Sequence, residues 1–453
     1  METKARRNFI KQAATAAGGT VILPSYIKNL ISDSPNERIN IAVIGIAGNR
    51  ERVRGIIRGR GIVHIRSYAD IPNVRVKTIC DVDERLFPEN IKLVEQLYET
   101  TPHTEIDFRK IIDDKEIDIV SLATPDHWHG LHTVWACQAG KDVYVEKPVS
   151  HNVSEGRKMV EAAEKYNRIV QSGICYRSSI AVKEGIKRIH DGELGQVYMA
   201  RGITWRYREP IGIFPDSEIP AGVNWDLFLG PAPYRPYNLN RFLYHWHWFW
   251  DTGTADMGNN AIYRMDTARW ALNQNSHPVS VHCSGGLFGR DPGEQETPNV
   301  MDATYVYEDG TIIQNEVRGL PTNPEGINNQ GVCFIYGDKG WMSITPDSYQ
   351  IYSGPRNEPG PAKSDQDFPT EERSNGWKNF IDCVRSRKKE KLDNPIVEGH
   401  LSASLCHLGN ISYRMGGKQL EFNSEKEQFE NNRQADQYLT RIYRKPYSMP
   451  EKV

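Results

Sequence analysis

The chain has 453 residues, of which 38% are hydrophobic and 25% are charged, and this length predicts two domains rather than one core. The 56 Lys and Arg residues nearly balance the 58 Asp and Glu residues, giving a net charge of −2, so the composition offers no electrostatic case for nucleic acid or an anionic membrane surface. Seven scattered cysteines without a CxxC pair do not form a disulfide framework.

The N-terminus has the pattern of an export signal. The segment ARRNFIK, Ala5 to Lys11, resembles the twin-arginine motif and precedes a small apolar run, Ala13 to Leu23. That run is too short for a stable membrane span. We therefore predict that residues 1–34 are a twin-arginine signal and N-terminal arm and that the protein is periplasmic. The alternative is a basic tail on a cytoplasmic protein.

Residues 35–175 alternate between strand and helix patterns. Apolar strands are predicted at 38–45, 74–80, 117–123, 142–145 and 168–174, and helices at 50–60, 86–98, 129–139 and 154–166, the last with Ser154 as its N-cap. Such alternation produces βαβ units and a doubly wound parallel sheet. We predict an α/β Rossmann domain here.

Residues 176–453 follow a different pattern. Strands at 197–205, 279–285, 303–316, 331–335 and 341–344 are separated by hairpin turns, and helices are predicted at 377–387 and 397–413. This pattern predicts an α+β domain with a large, open and mostly antiparallel sheet, which would bind the substrate and form oligomer contacts.

The turn after the first strand is a candidate dinucleotide-binding loop. The GxGxxG fingerprint lets the backbone approach a pyrophosphate at a helix N-terminus. Here Ala47 replaces the second glycine and Arg50 the third, so an ordinary βα turn is the alternative. The predicted cofactor-binding residues of this loop are Gly45, Ala47, Gly48, Asn49 and Arg50.

The second strand ends at Asp81, whose carboxylate can accept hydrogen bonds from the adenosine ribose and would repel a 2′-phosphate. NAD is therefore favoured over NADP. Asp83 is a weaker candidate for this role. The separation between Gly45 and Asp81 exceeds the usual ~20 residues, and we assign the excess to residues 58–73.

The strand at 142–145 ends on Glu146, Lys147 and Pro148. Carboxyl ends of parallel strands face the cofactor crevice. A lysine ammonium there can donate to a carbonyl or alcohol oxygen during hydride transfer, and burial lowers a lysine pKa toward useful values. The alternative is a surface lysine paired with Glu146.

Three segments resemble one family. EKP at 146–148, TPDHWH at 124–129 and GTADMGNNAIYRMDTARW at 253–270 are similar to motifs of the Gfo/Idh/MocA oxidoreductases, which include glucose–fructose oxidoreductase and inositol dehydrogenase. The resemblance implies a Rossmann domain joined to an open-sheet α/β domain. It also implies NAD-dependent chemistry on a sugar or cyclic polyol.

The resemblance also implies roles for individual residues. Lys147, preceding a cis proline, would contact the reacting oxygen. Tyr263 stands where the family usually has a catalytic histidine, and could act as acid or base if Lys147 stabilises its phenolate. Further cofactor contacts are expected from Thr124, Pro125, His129, Glu146 and Lys147, and substrate contacts from Arg177, Asn259 (in place of the usual Asp) and Asp266.

The segment YHWHWFW, 244–250, places alternate tryptophans on one face if it is extended. Trp246 and Trp248 could then form a platform for a sugar ring, although domain core is an equal alternative. The two HxH pairs at 127–129 and 245–247 lack the further ligands of a zinc site, so no metal is predicted.

We predict an exported, NAD-dependent oxidoreductase with a small-molecule carbohydrate substrate, assembled as a homodimer or homotetramer. One alternative is a glycoside hydrolase that oxidises its substrate transiently, with no net redox change. Another is a sugar sensor without catalytic activity.

Overall fold

The computed structural model describes residues 38–46, 59–289, 291–321, 331–370 and 375–453. The export signal, most of the candidate phosphate loop and the predicted helix at 50–60 lie outside these ranges, apart from the last two residues of that helix. Within them, no helix has the length and apolar character needed to cross a bilayer.

The first sheet has six parallel strands in the order β3-β2-β1-β4-β5-β6, the arrangement of a Rossmann domain. The strands β1, β4 and β5 are almost fully buried, because helices cover both faces of a parallel sheet. The strands are β1 Ile39–Ile44, β2 Val74–Cys80, β3 His103–Glu105, β4 Ile119–Leu122, β5 Asp142–Val145 and β6 Val170–Ser172.

The helices of this part are α1 Arg60–Ala69, α2 Phe87–Tyr98, α3 Phe108–Asp113, α4 Asp126–Gln138 and α5 Val153–Lys165. Two predictions need correction. The N-cap of α5 is Asn152, whose side chain accepts from the Glu155 amide, and not Ser154. Residues 58–73, to which the sequence pattern assigns the excess separation between Gly45 and Asp81, include α1, the helix that connects β1 to β2.

The second sheet has ten strands in the order β14-β13-β12-β11-β7-β10-β9-β8-β15-β16, and its described pairs are antiparallel except β7 with β10. The fold class is therefore α/β with a mostly antiparallel second sheet, as predicted. The strands are β7 Val197–Trp205, β8 Ser280–Gly286, β9 Val300–Val306, β10 Ile312–Arg318, β11 Gly331–Gly337, β12 Gly340–Ile344, β13 Ser348–Ser353, β14 Glu358–Ser364, β15 Leu420–Asn423 and β16 Gln428–Phe429.

Two long helices of the second part, at 262–271 and 396–414, pack on this sheet against β7, β8 and β11, and the second of them also contacts α5 of the Rossmann part. The helix at 376–386 packs instead on α1 and joins the Rossmann core. The α-helices are α6 Ile180–His190, α7 Trp225–Leu229, α8 Ile262–Ala271, α9 Gly376–Ser386, α10 Ile396–Arg414 and α11 Arg433–Asp436, and a π-helix, Met257–Ala261, leads directly into α8.

Candidate active site

A cavity lies at the carboxyl edge of the parallel sheet, between the two parts of the chain. One wall follows the ends of β1, β2 and β4, and the other wall comes from segments around α7 and from the C-terminus. The lining residues include Gly45, Asp81, Asp83, Thr124 and Pro125 on the Rossmann side, and Leu227, Phe228, Leu243, Trp246 and Tyr447 opposite them. The carboxyl edge of such a sheet is where dinucleotides bind.

Three residues that line the cavity have the properties expected at a dinucleotide-binding site. Gly45 has φ +80°, and a Cβ atom there would lie 2.7 Å from the carbonyl oxygen of Ala123, so only glycine is accommodated. Asp81 accepts from the amide nitrogens of Ile46 at 2.9 Å and Asp83 at 3.0 Å, which holds its carboxylate at the strand end. Among the described residues, Thr124 Oγ1 is buried without a hydrogen-bond partner, as expected of an atom that a ligand satisfies.

The rest of the predicted loop, Ala47, Gly48, Asn49 and Arg50, lies outside the described residues. Sequence analysis missed Gly61, in the first turn of α1. A Cβ at Gly61 would lie 2.2 Å from the carbonyl oxygen of Gly45, so glycine permits the close helix–strand packing expected of the fingerprint's third glycine. In the sequence, the closely spaced glycines of Gly59-Arg60-Gly61 are the pattern that could have indicated this position.

His129 connects two elements of the site. Its ring nitrogens lie 2.7 Å from the carbonyl oxygen of Pro148 and 2.8 Å from that of Thr124. Burial lowers the pKa of His129 to about 4, so the ring is neutral and donates to one of the two carbonyls. The histidine thus holds the end of β4 against Pro148, which follows a cis peptide bond, as the family resemblance implied.

Glu146 is buried directly after the end of β5. Its Oε1 accepts from Arg60 at 2.5 Å and contacts His64 Nε2 at 3.1 Å. The Arg60 charge holds the pKa of this carboxyl well below its usual range, against the opposing effect of burial. Glu146 therefore anchors the start of α1 to the end of β5, and its predicted contact with the cofactor remains a prediction.

Lys147, the next residue, turns toward the second part of the chain. Its half-buried Nζ donates to the backbone oxygen of Asn259 at 2.6 Å and to the side-chain oxygen of the same residue at 3.2 Å. Burial lowers the pKa of Lys147, while the nearby Glu146 and Asp126 carboxylates oppose that shift. A positioned ammonium with a depressed pKa is suited to proton exchange.

Asn259 belongs to the π-helix, a feature that often marks functional sites because it changes which carbonyls are bonded within the helix. Tyr263 follows in the first turn of α8. Its ring centroid lies 5.7 Å from Lys147 Nζ and 4.8 Å from the ring of Tyr176, on which it stacks. The structure thus brings Lys147, Asn259 and Tyr263 together, although none of them is among the residues that line the cavity, and their shared role in one site stays a prediction.

Burial raises the pKa of Tyr263 well above its ordinary value, and the neighbouring Glu146 adds to this effect. The phenol therefore stays protonated at neutral pH. A Tyr263 phenolate stabilised by Lys147 is not favoured, whereas a neutral phenol that donates a hydrogen bond fits these surroundings.

Arg177 and Asp266, both predicted to bind substrate, contact each other. Arg177 Nε donates to the carboxylate of Asp266 at 2.9 Å, and Arg269 and Glu398 extend this buried network. The network connects α8 and α10 with the segment before α6. Direct substrate contact by Arg177 or Asp266 remains a prediction.

The tryptophan segment is not extended as expected. Residues His245–Trp248 form a 3₁₀ helix, so the tryptophans do not share one face. Trp246 lines the cavity, with its ring 3.6 Å from that of His247, whereas Trp248 is 3% exposed and lies under the Arg208 guanidinium. Trp246 is thus placed to contact a ligand and Trp248 is part of the core.

One histidine cluster elsewhere has the composition of a metal site. His277, His400 and Glu427 bring their ligand atoms within 4.8 Å of one another, far in sequence from both HxH pairs. Both histidines contact Glu427 Oε1, at 2.6 and 2.8 Å, and Arg157 pairs with the same carboxylate. A guanidinium at the carboxylate disfavours a cation, so this arrangement is better explained as a buried ion network.

A model of the oxidoreductase family's NAD-binding Rossmann fold matches residues 39–174, and a model of that family's C-terminal alpha/beta domain matches residues 194–449. Among curated proteins, glycosyl hydrolase family 109 protein 1 of Shewanella sp. (strain ANA-3) is 27% identical over 218 residues, 45% of this chain and 48% of its own. The chain therefore spans about half the length of the curated relatives it matches.

Solved structures share the fold. Levoglucosan dehydrogenase in complex with NADH and levoglucosan has a TM-score of 0.60 at 18% identity, covering 85% of this chain and 99% of its own. The aldose-aldose oxidoreductase of Caulobacter crescentus, complexed with glycerol, has a TM-score of 0.59 at 20% identity, covering 85% and 100%. Since the C-terminal family model alone spans more than half of the chain, the protein belongs to the Gfo/Idh/MocA oxidoreductase family and has its NAD-binding Rossmann domain.

Proposed function

We propose that the protein is an NAD-dependent oxidoreductase acting on a CH–OH group of a sugar or cyclic polyol, or on the corresponding ketone. The observation that supports this most directly is the placement of Lys147. Its ammonium lies at the carboxyl end of β5, held by Asn259 and beside Tyr263. Solved structures of the same fold hold NADH and sugars, which agrees with this reading.

Each residue of the proposed site has its own role in the reaction. NAD, when bound, supplies the acceptor or donor of hydride. In the oxidation direction Lys147 accepts the hydroxyl proton as the neutral amine, which its lowered pKa favours, and in the reduction direction its ammonium donates that proton to the oxygen. Tyr263 donates from its neutral phenol to a substrate oxygen, and Asn259 fixes the direction of the ammonium through its backbone carbonyl. Trp246 contributes an apolar surface at the cavity wall.

A second function is favoured by the curated relatives, which are named glycosyl hydrolase family 109 proteins and, in Shewanella oneidensis, alpha-N-acetylgalactosaminidase. The same Lys147 site would then act on a glycoside, with transient oxidation and no net redox change. Both functions require the same cofactor and the same lysine. Only the product that forms therefore distinguishes the oxidoreductase from the glycoside hydrolase.

To test these functions, the purified protein is incubated, without added cofactor, with a panel of free sugars, polyols and aryl glycosides. Nicotinamide absorbance reports net oxidation or reduction, and release of the aryl group reports hydrolysis. Net reduced nicotinamide with a free sugar supports the oxidoreductase, and aryl release without it supports the hydrolase. A protein that binds sugars and turns over none of them would be the non-catalytic sensor.

We further propose that the protein is exported through the twin-arginine route and assembles into a homodimer or homotetramer. The ARRNFIK segment supports export. Three partly exposed rings on β11, β12 and β13 support assembly, because they form an aromatic surface on the large sheet. The ring of Trp341 stacks on that of Tyr352 and contacts the ring of Phe334 edge-on. Sedimentation velocity of the purified protein checks the assembly.

A further inference from the structure

Asp256, the residue directly before the π-helix, is a buried carboxylate to which the proposed mechanism gives no role. It is 4% exposed, and both of its oxygens accept from Arg208. Arg208 Nε donates to Oδ2 at 2.8 Å, and Nη2 donates to Oδ1 at 2.5 Å. Since Arg208 follows β7 closely in the chain, this ion pair joins the end of that strand to the start of the π-helix.

The same carboxylate also holds two side-chain amides. Asp256 Oδ1 accepts from Asn260 Nδ2 at 2.7 Å and from Asn259 Nδ2 at 3.3 Å. Both asparagines come one helical turn after Asp256, so the three side chains leave the helix on the same side. Because a carboxylate can only accept, Asn259 must present its NH₂ group to Asp256 and turn its side-chain oxygen away from it.

That side-chain oxygen faces Lys147. Asn259 Oδ1 accepts from Lys147 Nζ at 3.2 Å, in addition to the backbone oxygen of Asn259 at 2.6 Å. An ammonium has three N–H groups. Two of them are held by Asn259, and no other residue in the described ranges accepts from Nζ, so the third is available to a substrate oxygen. Both acceptors are neutral, so they direct the ammonium without the negative charge that would favour its protonated form.

We propose that Asp256 is a positioning residue for Lys147. It holds the Asn259 amide in the orientation that places Oδ1 on Nζ, and the two oxygens of Asn259 then aim the remaining N–H at the reacting oxygen. The inference rests on the proposed function, in which Lys147 carries the proton. A carboxylate that served only as the counter-charge of Arg208 would instead need to be charged, and would not need to contact Asn259.

Two replacements of Asp256 in the full-length protein separate these roles. Asp256→Ala and Asp256→Asn both remove the charge that faces Arg208, so both should lower the free energy of unfolding. Only Asp256→Asn keeps an oxygen that can accept from Asn259 Nδ2. We expect kcat on a substrate from the panel to fall about tenfold in Asp256→Ala, within the usual coupling of neighbouring groups in one network. The KM, the NAD affinity and the kcat of Asp256→Asn should stay near wild type. Equal losses of kcat in the two variants overturn the proposal.

A double-mutant cycle tests whether Asp256 acts through the amide. Asn259→Ala removes the amide and keeps the backbone oxygen that holds Lys147, so adding Asp256→Ala to it should cost no further kcat. Losses that multiply contradict the proposal. The matched control is Asp142→Ala, which breaks a buried ion pair with Arg387 at the opposite end of β5 from Lys147. It should reduce stability and leave kcat near wild type.

If Asp256→Ala does not fold, the same variants are compared in an Arg208→Gln background, which removes the buried cation. A crystal structure of Asp256→Ala, or of that variant in the Arg208→Gln background, gives a readout that does not depend on turnover. Asn259 Oδ1 should leave hydrogen-bond distance of Lys147 Nζ, and an unmoved Asn259 side chain overturns the proposal. If the amide turns but Lys147→Ala retains full turnover, the proposed catalytic role of the lysine fails while the action of Asp256 on Asn259 stands.

Discussion

Glu146 and Lys147 are adjacent in sequence but have opposite surroundings. The Glu146 carboxylate points toward α1, where Arg60 and His64 bind it, and the Lys147 ammonium points toward the π-helix. The strand is therefore followed by a carboxylate that anchors α1 and then by the lysine that we propose acts in catalysis. Since the anchor fixes the backbone next to Lys147, the ammonium reaches Asn259 from a well-defined position, as a catalytic group requires.

Replacement of Lys147 tests the catalytic assignment. We expect Lys147→Ala to lower kcat by about 10²-fold or more, the range for loss of an acid–base or oxyanion-stabilising group. Steady-state kinetics on a substrate from the panel measures this, and equilibrium titration with NAD should show little change in affinity. Lys187→Ala, on an exposed lysine far along the chain, is the matched control and should behave as wild type. A near-normal rate in Lys147→Ala would remove the lysine from the mechanism.

At the residue scale, two separate sequence motifs, the EKP segment and the motif around Tyr263, predicted that Lys147, Asn259 and Tyr263 belong to one site. The structure brings these three residues close together, and their roles in binding and catalysis stay predictions. The partners of Glu146 could not be predicted in this way. Arg60 and His64 lie 86 and 82 residues away in sequence, so their contact with Glu146 depends on the packing of α1 against the sheet.

Helix α1 packs against the start of the candidate dinucleotide-binding loop. It begins at Arg60 and packs so closely on β1 that Gly61 touches the backbone of Gly45 and Ile46. The sequence pattern predicted a helix at residues 50–60, of which the structure describes only the last two. The fingerprint normally has its third glycine within a few positions of the first. Because Gly61 is much farther from Gly45 than that, only the packing of α1 on β1 shows that Gly61 meets the strand.

Substitution of Gly61 tests this packing. In Gly61→Ala the new methyl group would lie 2.2 Å from the Gly45 carbonyl oxygen and 2.6 Å from the Ile46 Cα, so α1 must move away from β1. We expect a loss of about 1–3 kcal/mol in the free energy of unfolding, typical of overpacking, together with weaker NAD binding. Urea unfolding and NAD titration measure the two effects.

Gly360→Ala is the matched control for Gly61→Ala, because its nearest neighbours would be 3.5 Å from the new methyl group. It should leave both stability and NAD affinity near wild type. If Gly61→Ala binds NAD as tightly as the control does, Gly61 is not part of the phosphate loop's support.

At the scale of the whole molecule, buried histidines couple stability to pH. Burial lowers the pKa of His127 and His407 to about 3 and of His129 and His400 to about 4. An unfolded histidine titrates near 6.5. Between pH 6.5 and 4 the unfolded chain therefore binds protons that the folded chain does not, and stability falls as the pH is lowered.

We expect the Tm to be highest above pH 6.5 and to fall steadily toward pH 4, as measured by circular dichroism in buffers of equal ionic strength. Each such histidine contributes a slope of up to about 1.4 kcal/mol per pH unit. His407→Gln should make the dependence shallower, whereas His103→Gln, at an exposed position, should leave it unchanged. A Tm that is constant between pH 7 and pH 5 contradicts the assignment.

Contacts between the two parts of the chain cover one side of the cofactor cavity. Residues that follow β2 are hydrogen-bonded to the segment before α7, through Glu84 N to Gly222 O and Asn224 N to Val82 O, both at 2.8 Å. The C-terminus then holds α7 in place, since Tyr447 Oη donates to Asp226 Oδ2 at 2.8 Å and Arg444 pairs with the same carboxylate. Release of a bound dinucleotide would require this cover to open.

The cover and the proposed export lead to the same expectation. Outside the cytoplasm there is no nicotinamide pool, so an exported enzyme must keep the cofactor with which it folded. We predict that protein purified without added NAD carries close to one nicotinamide dinucleotide per chain and retains it through dialysis. Asp226→Ala removes the carboxylate that accepts from Tyr447 and pairs with Arg444, so exchange with isotopically labelled NAD should become faster. The fold should persist, because Arg444 keeps its hydrogen bonds to the backbone oxygens of Asp226, Gly230 and Ala232. Denaturing extraction followed by mass spectrometry measures both content and exchange. Empty protein that exchanges labelled NAD rapidly would instead indicate a dehydrogenase that draws on a free cofactor pool, and would argue against both the cover and export.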